Sequence, residues 1–352
     1  MQPLAVRAGT LRRSFVAALA SIVCVAVVPA KGASAGSGGR EHTGAVPTAF
    51  AYVTNQGSET VSIVAIGEGG EKMQVTGEIK VPGKPAGIAL SPDRRTVYVT
   101  APEAKELVVI DRATADVRAR VRAGEGPLGI AVNPVTGDVL VADWYEHKLL
   151  VLDATTLAVK GAVKTGQSPS GIAVTPDGGR ILTTDRDSNQ VSIIDAKSLA
   201  VVATVPVGER PFGIAIDADG QRAYTANVKS NDVSVIDIAT ARTVATYKVG
   251  RRPYAVALAR GRAFVTDQYS ATVTVIDLTS GEKLTSIPVG EHPEGIWSTA
   301  SGSHVFIACW MENTLERVDT GTLKVTGKVE VGDGPRAFGD FLVEEAPSRA
   351  PR

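Results

Sequence analysis

The hydrophobic residues of this chain fall into short runs that are rich in β-branched side chains and are separated by turn residues. In the middle of the chain such runs cover residues 213–216, 223–227, 233–237 and 243–249. Runs of this kind predict β-strands, and we label the four strands A, B, C and D in chain order. None of the runs has the length or the periodicity of a helix, so the pattern predicts an all-β fold.

The group of four strands recurs along the chain, and a proline stands at the start of each A strand. Successive prolines are 42, 42, 42, 42, 40 and 42 residues apart, namely Pro85, Pro127, Pro169, Pro211, Pro253, Pro293 and Pro335. A repeat of this length built from four strands is typical of the blades of a β-propeller. The one shorter interval lacks residues in the A–B turn, at residues 259–262, where a deletion leaves the strands intact.

The two ends of the chain complement each other. Strands B, C and D occur seven times, starting at residues 51–55, but no A strand precedes the first set. Residues 337–343 read as a seventh A strand with no B strand after it. Pairing these two segments closes a ring and leaves no open sheet edge. We therefore predict a seven-bladed β-propeller of four-stranded antiparallel blades over residues 50–343, followed by a disordered tail at residues 344–352.

The repeated text resembles that of a known family. The B strands read Tyr-Val-Thr-Asn at residues 52–55, Val-Tyr-Val-Thr at 97–100, Ala-Tyr-Thr-Ala-Asn at 223–227 and Phe-Val-Thr-Asp at 264–267. These motifs are similar to the YVTN repeat family of bacterial and archaeal β-propellers, and the likeness extends to its YncE-like periplasmic members. The resemblance implies seven blades and export from the cytoplasm. It implies no particular activity, because propellers host unrelated functions.

The N-terminus has the pattern of an export signal. Basic residues precede an apolar stretch at residues 15–28, and Ala-Ser-Ala at residues 33–35 supplies the small side chains of a cleavage site. Residues 1–35 are therefore predicted to be a signal peptide, and residues 36–49 a flexible leader. Arg-Arg-Ser-Phe-Val at residues 12–16 also resembles a twin-arginine signal, so both the Sec and the Tat routes stay open. We expect a periplasmic or secreted protein, with no membrane span in the mature chain.

Removal of the signal changes the charge balance. The signal holds four basic residues (Arg7, Arg12, Arg13 and Lys31) and no acidic one, which leaves 33 basic against 37 acidic residues and a net charge of −4. A negative chain is a poor partner for nucleic acid, whose phosphates are bound by Lys and Arg. Cys309 would be the one remaining cysteine, so no intramolecular disulfide is expected. We expect a monomer.

Candidate binding residues lie where the repeat departs from itself. The position after each anchor proline changes around the ring, as Ala86, Leu128, Ser170, Phe212, Tyr254, Glu294 and Arg336. The next position is always Gly or Ala, which lets the inner strands approach the axis. Phe212, Tyr254, Glu294 and Arg336 are thus predicted to be surface side chains at the channel mouth. They form either an aromatic-lined polar recess for a ligand or, for Glu294 and Arg336, a charge pair across a blade junction.

The strand order places the B–C and D–A loops on one face and the A–B and C–D loops on the other. Four aromatic residues stand in the B–C loops: Trp144, Tyr145, Tyr269 and Trp310. Aromatic residues in loops indicate a binding surface for a protein or a small molecule, although each ring could instead cap the strands beneath it. Trp297 replaces the alanine that most other blades have in strand A, and is expected to fill a gap in the core.

Soft metal ligands occur on the same face. Cys309, Met311 and His292 belong to one blade and His147 to another, and thiolate, thioether and imidazole suit Cu(I). Their spacing matches no defined metal motif, and a lone cysteine is commonly a small buried apolar residue. A copper site and a structural role both stay open.

Acidic residues recur at two strand ends, and both sets are predicted to be structural. The C strands end at Asp111, Asp153, Asp195, Asp237, Asp277 and Asp319, which are placed to form turns. The B strands end at Asn55, Asp143, Asp185, Asn227 and Asp267.

The chain contains no motif for covalent haem, nucleophilic hydrolysis, phosphate binding or zinc. The sequence therefore favours a non-catalytic exported binding protein that presents a protein or small-molecule ligand at the channel mouth. The alternative is an enzyme or a cofactor-binding subunit. It would use Glu294 and Asp340 around a metal in the channel, as in some propeller lactonases, or hold a quinone, haem or copper. Resemblance to YncE-like proteins also implies single-stranded nucleic-acid binding by base stacking, which the net charge disfavours.

Overall fold

The structure is a computed structural model that describes residues 48–67 and 72–345. The predicted signal peptide, nearly all of the predicted leader and the tail beyond Glu345 lie outside the described residues. Among the residues described there is no helix with the length and apolar character that a membrane crossing requires.

The described residues form 28 strands. The first eleven are β1 (Ala49–Asn55), β2 (Thr60–Ile66), β3 (Met73–Lys80), β4 (Ile88–Leu90), β5 (Thr96–Ala101), β6 (Glu106–Asp111), β7 (Val117–Arg122), β8 (Pro127–Val132), β9 (Val139–Asp143), β10 (Lys148–Leu152) and β11 (Val159–Lys164). The next eight are β12 (Pro169–Val174), β13 (Arg180–Asp185), β14 (Gln190–Asp195), β15 (Ala200–Pro206), β16 (Pro211–Ile216), β17 (Arg222–Asn227), β18 (Asp232–Asp237) and β19 (Arg242–Lys248). The last nine are β20 (Pro253–Ala259), β21 (Arg262–Asp267), β22 (Thr272–Asp277), β23 (Lys283–Pro288), β24 (Pro293–Ser298), β25 (His304–Cys309), β26 (Thr314–Asp319), β27 (Lys324–Glu330) and β28 (Leu342–Glu344).

These strands make seven antiparallel sheets of four strands each. Blades 2 to 7 are continuous in sequence and start with β4, β8, β12, β16, β20 and β24, which are their A strands. The A strands of neighbouring blades contact each other, so they line the centre of the ring. The predicted seven-bladed all-β fold is confirmed.

Blade 1 is completed by the two ends of the chain. β28 pairs antiparallel with β1, with Leu342 opposite Ala51. The backbone N–H of Arg336 donates to the carbonyl oxygen of Thr54 at 2.8 Å and extends the pairing upstream of β28. The predicted closure of the ring by the last strand is confirmed, and the strands run from Ala49 to Glu344.

The inner strands approach each other so closely that a larger side chain does not fit. A Cβ atom on Gly129 would lie 1.7 Å from the carbonyl oxygen of Ser170 in the next blade. A Cβ atom on Gly295 would lie 2.1 Å from the carbonyl oxygen of Arg336. This contact explains why the second position after the anchor proline is always small.

A threonine on strand B links several blades to the blade that follows. The hydroxyl of Thr54 donates to the carbonyl oxygen of Ala86 at 2.8 Å. The same bond runs from Thr100 to Leu128, from Thr184 to Phe212 and from Thr266 to Glu294. In each case the acceptor is the backbone of the variable position after the anchor proline.

The hydrophobic core lies between neighbouring sheets. Leu140 and Leu149 of blade 3 pack in one cluster with Ile181 of blade 4. Strands B and C are buried along most of their length, whereas a D strand such as β7 alternates between half-buried and exposed positions. Burial of apolar side chains on both faces of each sheet holds the blades against one another.

The tight turns follow the sequence prediction. Oδ1 of Asp153 accepts hydrogen bonds from the backbone N–H groups of Thr155 and Thr156 at 3.0 and 2.8 Å. Equivalent turn bonds are made by Asp111, Asp195, Asp237, Asp277 and Asp319. The shortened A–B turn of blade 6 consists of Arg260 and Gly261, which both have positive φ, as a two-residue hairpin of type I′ requires.

Candidate functional site

The B–C and D–A loops meet on one face, which we call the loop face. The backbone N–H of Trp144 donates to the carbonyl oxygen of Gly126 at 2.9 Å, and that of Trp310 donates to His292 at 2.9 Å. Because these bonds join a B–C loop to a D–A loop, the two sets of loops lie side by side, as the strand order predicts.

The residue before the anchor proline has a left-handed backbone at six junctions. One of the six is Gly334, and the other five are Lys84, Ser168, Arg210, Arg252 and His292, with φ between 53° and 60°. Side chains of the B–C loops accept hydrogen bonds from the backbone N–H groups of these left-handed residues and so stabilise their strained conformation. Asn189 accepts from the N–H of Arg210 at 2.8 Å, and Asn231 accepts from that of Arg252 at 2.8 Å. Nδ1 of His147 accepts from the N–H of Ser168 at 3.1 Å in the same way.

Three aromatic rings pack together at the channel mouth. The ring centroids of Phe212 and Tyr254 are 4.5 Å apart, and Phe338 lies 5.2 Å from Phe212 and 5.7 Å from Tyr254. Phe212 is 7% exposed. Phe212 and Phe338 line a small cavity of about 60 Å³ in the channel beneath them. The predicted recess between Phe212 and Tyr254 is therefore filled by ring packing, and the three rings form a roof over the channel.

Phe338 was not among the predicted site residues. It belongs to the closing segment, where the backbone N–H of Ile88 donates to its carbonyl oxygen at 2.8 Å. The third residue after the anchor proline is Ile or Val in the other six blades and Phe only here: Ile88, Ile130, Ile172, Ile214, Val256 and Ile296. The rule that function lies where the repeat departs from itself would have found Phe338 if it had been applied at this position.

Glu294 and Arg336 form the charge pair that the sequence left as one of two alternatives. Oε2 of Glu294 lies 3.5 Å from Nη1 of Arg336, and Oε1 accepts a hydrogen bond of 2.6 Å from Gln268. Glu294 is 1% exposed, so its prediction as a surface residue is wrong. Burial raises the pKa of Glu294, although the charge of Arg336 and the bond from Gln268 oppose that rise.

Four residues form a stacked row outside the mouth, which we call the rim row: Arg252, Tyr269, His292 and Trp310. The guanidinium of Arg252 lies 4.4 Å from the ring centroid of Tyr269 and donates to its hydroxyl at 2.7 Å. The rings of Tyr269 and His292 are 5.3 Å apart, and those of His292 and Trp310 are 6.1 Å apart. Tyr269 remains 46% exposed. The row thus presents aromatic surface to solvent on a rigid support.

The row ends at an unsatisfied donor. Nε1 of Trp310 is shut off from solvent and has no hydrogen-bond acceptor among the residues described. Trp310 lines a pocket of about 450 Å³ together with Gln56, Lys84 and Met311. An unpaired buried N–H costs free energy that an acceptor on a bound molecule would recover.

The other two predicted aromatic residues lie in blade 3, away from the rim row of blades 6 and 7. The guanidinium of Arg186 lies 5.3 Å from the ring centroid of Trp144. Tyr145 is 69% exposed, and its ring lies over Gly126, where a Cβ atom would come within 2.4 Å of it. Trp144 and Tyr145 therefore form a second, smaller aromatic surface.

The four predicted metal ligands have separate environments. Cys309 is fully buried in an apolar cluster, and burial raises the pKa of its thiol far above the usual range. Met311 is half exposed, His292 belongs to the rim row, and Nδ1 of His147 is used as a cap. In residues 48–67 and 72–345 no group of three or more His, Cys, Asp or Glu side chains is arranged to hold a metal ion. The copper site stays a prediction that no observation here supports.

The acids and amides that end the B strands are buried and hydrogen-bonded. The carboxylate of Asp267 accepts from the N–H of Gly250 at 3.0 Å and from the hydroxyls of Thr272 and Thr274 at 3.1 and 2.5 Å. Burial nevertheless raises the pKa of Asp267 to about 6. Asn55 makes equivalent bonds through Nδ2 to Thr60 and Ser62. These contacts agree with the structural role predicted for this set.

Glu294 and Asp340 lie at opposite ends of the channel. Asp340 lines a lower cavity and pairs with Arg94, which belongs to an A–B loop on the face opposite the loop face. Glu294 pairs with Arg336 on the loop face. The expectation that these two carboxylates surround one metal is therefore wrong.

Comparison with known proteins supports the fold. A family model described as "Lactonase, 7-bladed beta-propeller" matches residues 131–257, which run from blade 3 into the first strand of blade 6. No curated protein matches the sequence.

Solved structures of the same fold share little sequence with this chain. A functionally unknown protein from Desulfotomaculum acetoxidans DSM 771 is 18% identical with a TM-score of 0.69, and the match covers 83% of this chain and 99% of that one. Hydrazine synthase of Kuenenia stuttgartiensis is 19% identical with a TM-score of 0.66, covering 73% of this chain and 89% of that one. Dihydro-heme d1 dehydrogenase NirN, solved in complex with DHE, is 19% identical with a TM-score of 0.61. That match covers 83% of this chain and 66% of NirN. At this identity the likeness shows a shared fold.

Proposed function

We propose that this protein is a non-catalytic binding protein whose ligand rests on the rim row of the loop face. One observation carries the proposal. Trp310 presents a buried N–H without an acceptor among the described residues, at the end of a row of stacked rings that is open to solvent. A ligand that supplies the acceptor and stacks on the row would satisfy both features.

The geometry selects the class of ligand. Trp310 ends the rim row and lines the adjoining pocket, so a flat aromatic molecule can stack on its ring. The N–H of Trp310 calls for a carbonyl or carboxylate oxygen. Arg252, at the other end of the row, adds positive potential to this face, which favours an anionic ligand. We therefore propose a planar aromatic acid as the ligand class.

Export and finer family membership belong to the same proposal. The basic residues, the apolar stretch at residues 15–28 and the small residues at 33–35 support a periplasmic or secreted protein. The motifs at residues 52–55 and 223–227 support membership of the YVTN repeat family.

Isothermal titration calorimetry with 2-naphthoate, and with naphthalene as the probe without an acceptor, tests the proposal. We expect 2-naphthoate to bind the wild-type protein more tightly than naphthalene does. Trp310→Phe keeps a ring but removes the N–H donor, so it should weaken 2-naphthoate by about tenfold and leave naphthalene unchanged. Trp144→Phe removes an indole N–H from the other aromatic surface and is the matched control.

Two results would contradict the proposed site. The first is equal affinity of wild type and Trp310→Phe for 2-naphthoate. The second is equal loss of affinity in Thr240→Ala, which lies on the opposite face. A gel shift of single-stranded DNA that weakens with salt would instead support the nucleic-acid alternative.

An enzymatic function at the mouth is the second candidate, and Glu294 is the observation that favours it. Its buried carboxyl has a raised pKa and one oxygen without a hydrogen-bond donor in the described part of the chain. Perturbed carboxyl groups of this kind occur at catalytic sites. The match to the lactonase propeller model ends before Glu294 but includes Tyr254, whose electrostatic interaction with this carboxyl places it nearby. Acid release from a panel of γ- and δ-lactones, lost in Glu294→Gln, would establish this candidate.

A bound cofactor would be seen directly. The structural neighbour NirN is described in complex with DHE. A visible absorption spectrum and metal analysis of the protein purified from its native compartment would reveal a haem or copper. A colourless, metal-free preparation that still binds 2-naphthoate would support the non-catalytic proposal.

A further inference from the structure

The channel has a second end on the face that carries the A–B and C–D loops. It widens there into a space that we call the lower chamber, of about 1000 Å³ including its opening to solvent. The fifth residue after the anchor proline forms an apolar wall in blades 2 to 6, made of Leu90, Val132, Val174, Ile216 and Leu258. This chamber is a different place from the rim row, which lies on the loop face.

Blades 7 and 1 break this pattern, because their fifth residue after the anchor proline is polar. Ser298 and Asp340 stand where the other five blades have an aliphatic side chain, and both line the chamber. The position before them is alanine in blades 2 to 6 but Trp297 in blade 7 and Gly339 in blade 1. In no other blade does a polar residue at this position stand beside a tryptophan, as Ser298 and Asp340 stand beside Trp297.

Asp340 is the only acidic side chain that lines the lower chamber in the described residues. It forms an ion pair with Arg94, whose side chain is 45% exposed at the opening of the lower chamber. Its other oxygen, Oδ1, is shut off from solvent and makes no hydrogen bond of normal geometry among the residues described, although the backbone N–H of Leu342 faces this carboxyl. A buried carboxylate oxygen without a donor costs free energy, so this atom is a prepared acceptor.

Trp297 supplies the flat part of the wall. It is half buried and packs against the apolar cluster shared by blades 7, 1 and 2. It lines both the lower chamber and the adjoining pocket among the A–B loops. The sequence assigned Trp297 to a gap in the core, but part of the ring faces the chamber. An indole face beside aliphatic walls favours a flat apolar molecule.

Gly339 keeps this corner of the chamber open. Its φ of 117° is in the range that favours glycine, and a Cβ atom would lie 2.3 Å from the carbonyl oxygen of Ile88. No other residue fits this backbone, so the closing strand brings Asp340 to the wall with no bulk beside it.

Charge decides which donor Asp340 accepts. Arg94 already balances the negative charge of this carboxylate, so a second cation would leave an excess positive charge in an apolar chamber. A neutral hydroxyl completes the hydrogen bonding of Oδ1 without changing the net charge.

We propose that the lower chamber is a second ligand site, which binds a small, flat, uncharged apolar molecule through one hydroxyl group donated to Asp340. The apolar wall and Trp297 hold the body of the molecule, and Oδ1 of Asp340 fixes its orientation. Ile172 and Ile214 line both this chamber and the cavity beneath the roof of aromatic rings, so they lie between the two ends of the channel.

Isothermal titration calorimetry with 2-naphthol, and with naphthalene as the probe without a hydroxyl, tests this site. We expect 2-naphthol to bind the wild-type protein about tenfold more tightly than naphthalene, as one hydrogen bond to a charged acceptor would give. Equal affinities of the two probes in the wild-type protein would overturn the proposal before any variant is made.

Two variants locate the binding. Asp340→Leu installs the residue that blades 2 and 6 already have at this station, so the fold is expected to accept it. It should abolish the preference for 2-naphthol and keep the binding of naphthalene. Ala173→Trp repeats in blade 4 what Trp297 does in blade 7. By filling the chamber it should abolish the preference for 2-naphthol over naphthalene and leave only the weak binding of either probe at the rim row. Persistence of the preference in Asp340→Leu, or in a folded Ala173→Trp, would overturn the proposal.

The loop-face site has its own control. Trp310→Phe should leave the affinity for 2-naphthol unchanged, because Trp310 does not line the lower chamber. Loss of 2-naphthol binding in Trp310→Phe would assign the probe to the rim row and overturn the lower site. Failure of the 2-naphthoate experiment would instead remove the rim-row proposal alone.

Discussion

Phe338 and Tyr254 stack with their ring centroids 5.7 Å and their planes 19° apart, although Phe338 comes from the closing segment of blade 1 and Tyr254 from blade 6. The guanidinium of Arg336 also lies over the ring of Phe338, 5.6 Å from its centroid. The last segment of the chain therefore completes both the ring of blades and the roof of the channel.

Phe338→Ala should destabilise the protein by about 3 kcal/mol, since it removes a ring that packs against two others. Urea unfolding followed by circular dichroism would measure the change. Tyr254→Phe keeps all three rings and should stay within about 0.5 kcal/mol of wild type. A loss below about 1 kcal/mol in Phe338→Ala would show that the three rings are not packed as described.

Truncation separates the closing strand from the tail. A chain ending at Glu345 should unfold cooperatively at the wild-type temperature, because it keeps every described strand. A chain ending at Pro335 loses β28 and exposes the edge of β1, so cooperative unfolding should disappear. Differential scanning calorimetry distinguishes the two. An unchanged transition in the shorter chain would refute the ring closure.

Asp267 should make stability depend on pH. Its pKa of about 6 in the folded protein lies above the unfolded value near 4, so the folded state binds a proton more tightly. The free energy of unfolding contributed by this group should therefore rise as the pH falls from about 7 to about 4, by up to about 3 kcal/mol.

Asp267→Asn tests the sign of this effect. Asn55 and Asn227 occupy the same station in other blades and donate to equivalent partners. The amide has no charge to bury, so the variant should be more stable than wild type at pH 7 and should lose part of the pH dependence. Urea unfolding at pH 4.5 and pH 7 would measure both, and greater stability of wild type at pH 7 would contradict the assignment.

Arg336→Ala should cost about 3 kcal/mol, because it leaves the buried carboxylate of Glu294 without its counter-charge. Adding Glu294→Gln should recover most of that loss, since a neutral amide needs no cation. A double-mutant cycle by urea unfolding measures the coupling between the two side chains. Additive losses would show that the pair is not coupled.

His147→Asn should keep the stability of wild type, whereas His147→Ala should lose about 1 kcal/mol. Asn189, Asn231 and Asn313 cap the equivalent N–H groups in other blades, and asparagine also tolerates the left-handed backbone of His147. Thermal unfolding of the two variants would measure the difference. Equal losses would remove the capping role.

The sequence could predict the fold because each blade repeats the same physical solution. Three kinds of residue recur in the sequence and have the same structural role in each blade. They are the anchor prolines, turn aspartates such as Asp153, and the small residues that let the inner strands approach. The ring closure could be predicted because the first blade lacks an A strand and residues 337–343 supply an extra one. Register within a repeat needs no long-range information.

The site was harder to predict because burial is set by neighbouring blades. Glu294 occupies a position where other blades have Ala or Ser, which indicates tolerance of different side chains but not exposure. Whether it faces solvent depends on Arg336 and Gln268, which belong to the neighbouring blades 1 and 6. The stacking of Tyr269, His292 and Trp310 likewise joins two blades, and no repeat pattern encodes the distance between them.

The threonine bonds between blades have a consequence for how such a ring can change over time. Thr184 and Thr266 hold the backbone oxygen of the variable position and make no demand on the side chain attached to it. A mutation at Ala86, Leu128, Phe212 or Glu294 can therefore introduce a new chemical group without breaking the hydrogen bond between blades. The scaffold can therefore diversify one position at a time, as Phe212 and Glu294 show by occupying equivalent positions on the same hydrogen-bonded backbone.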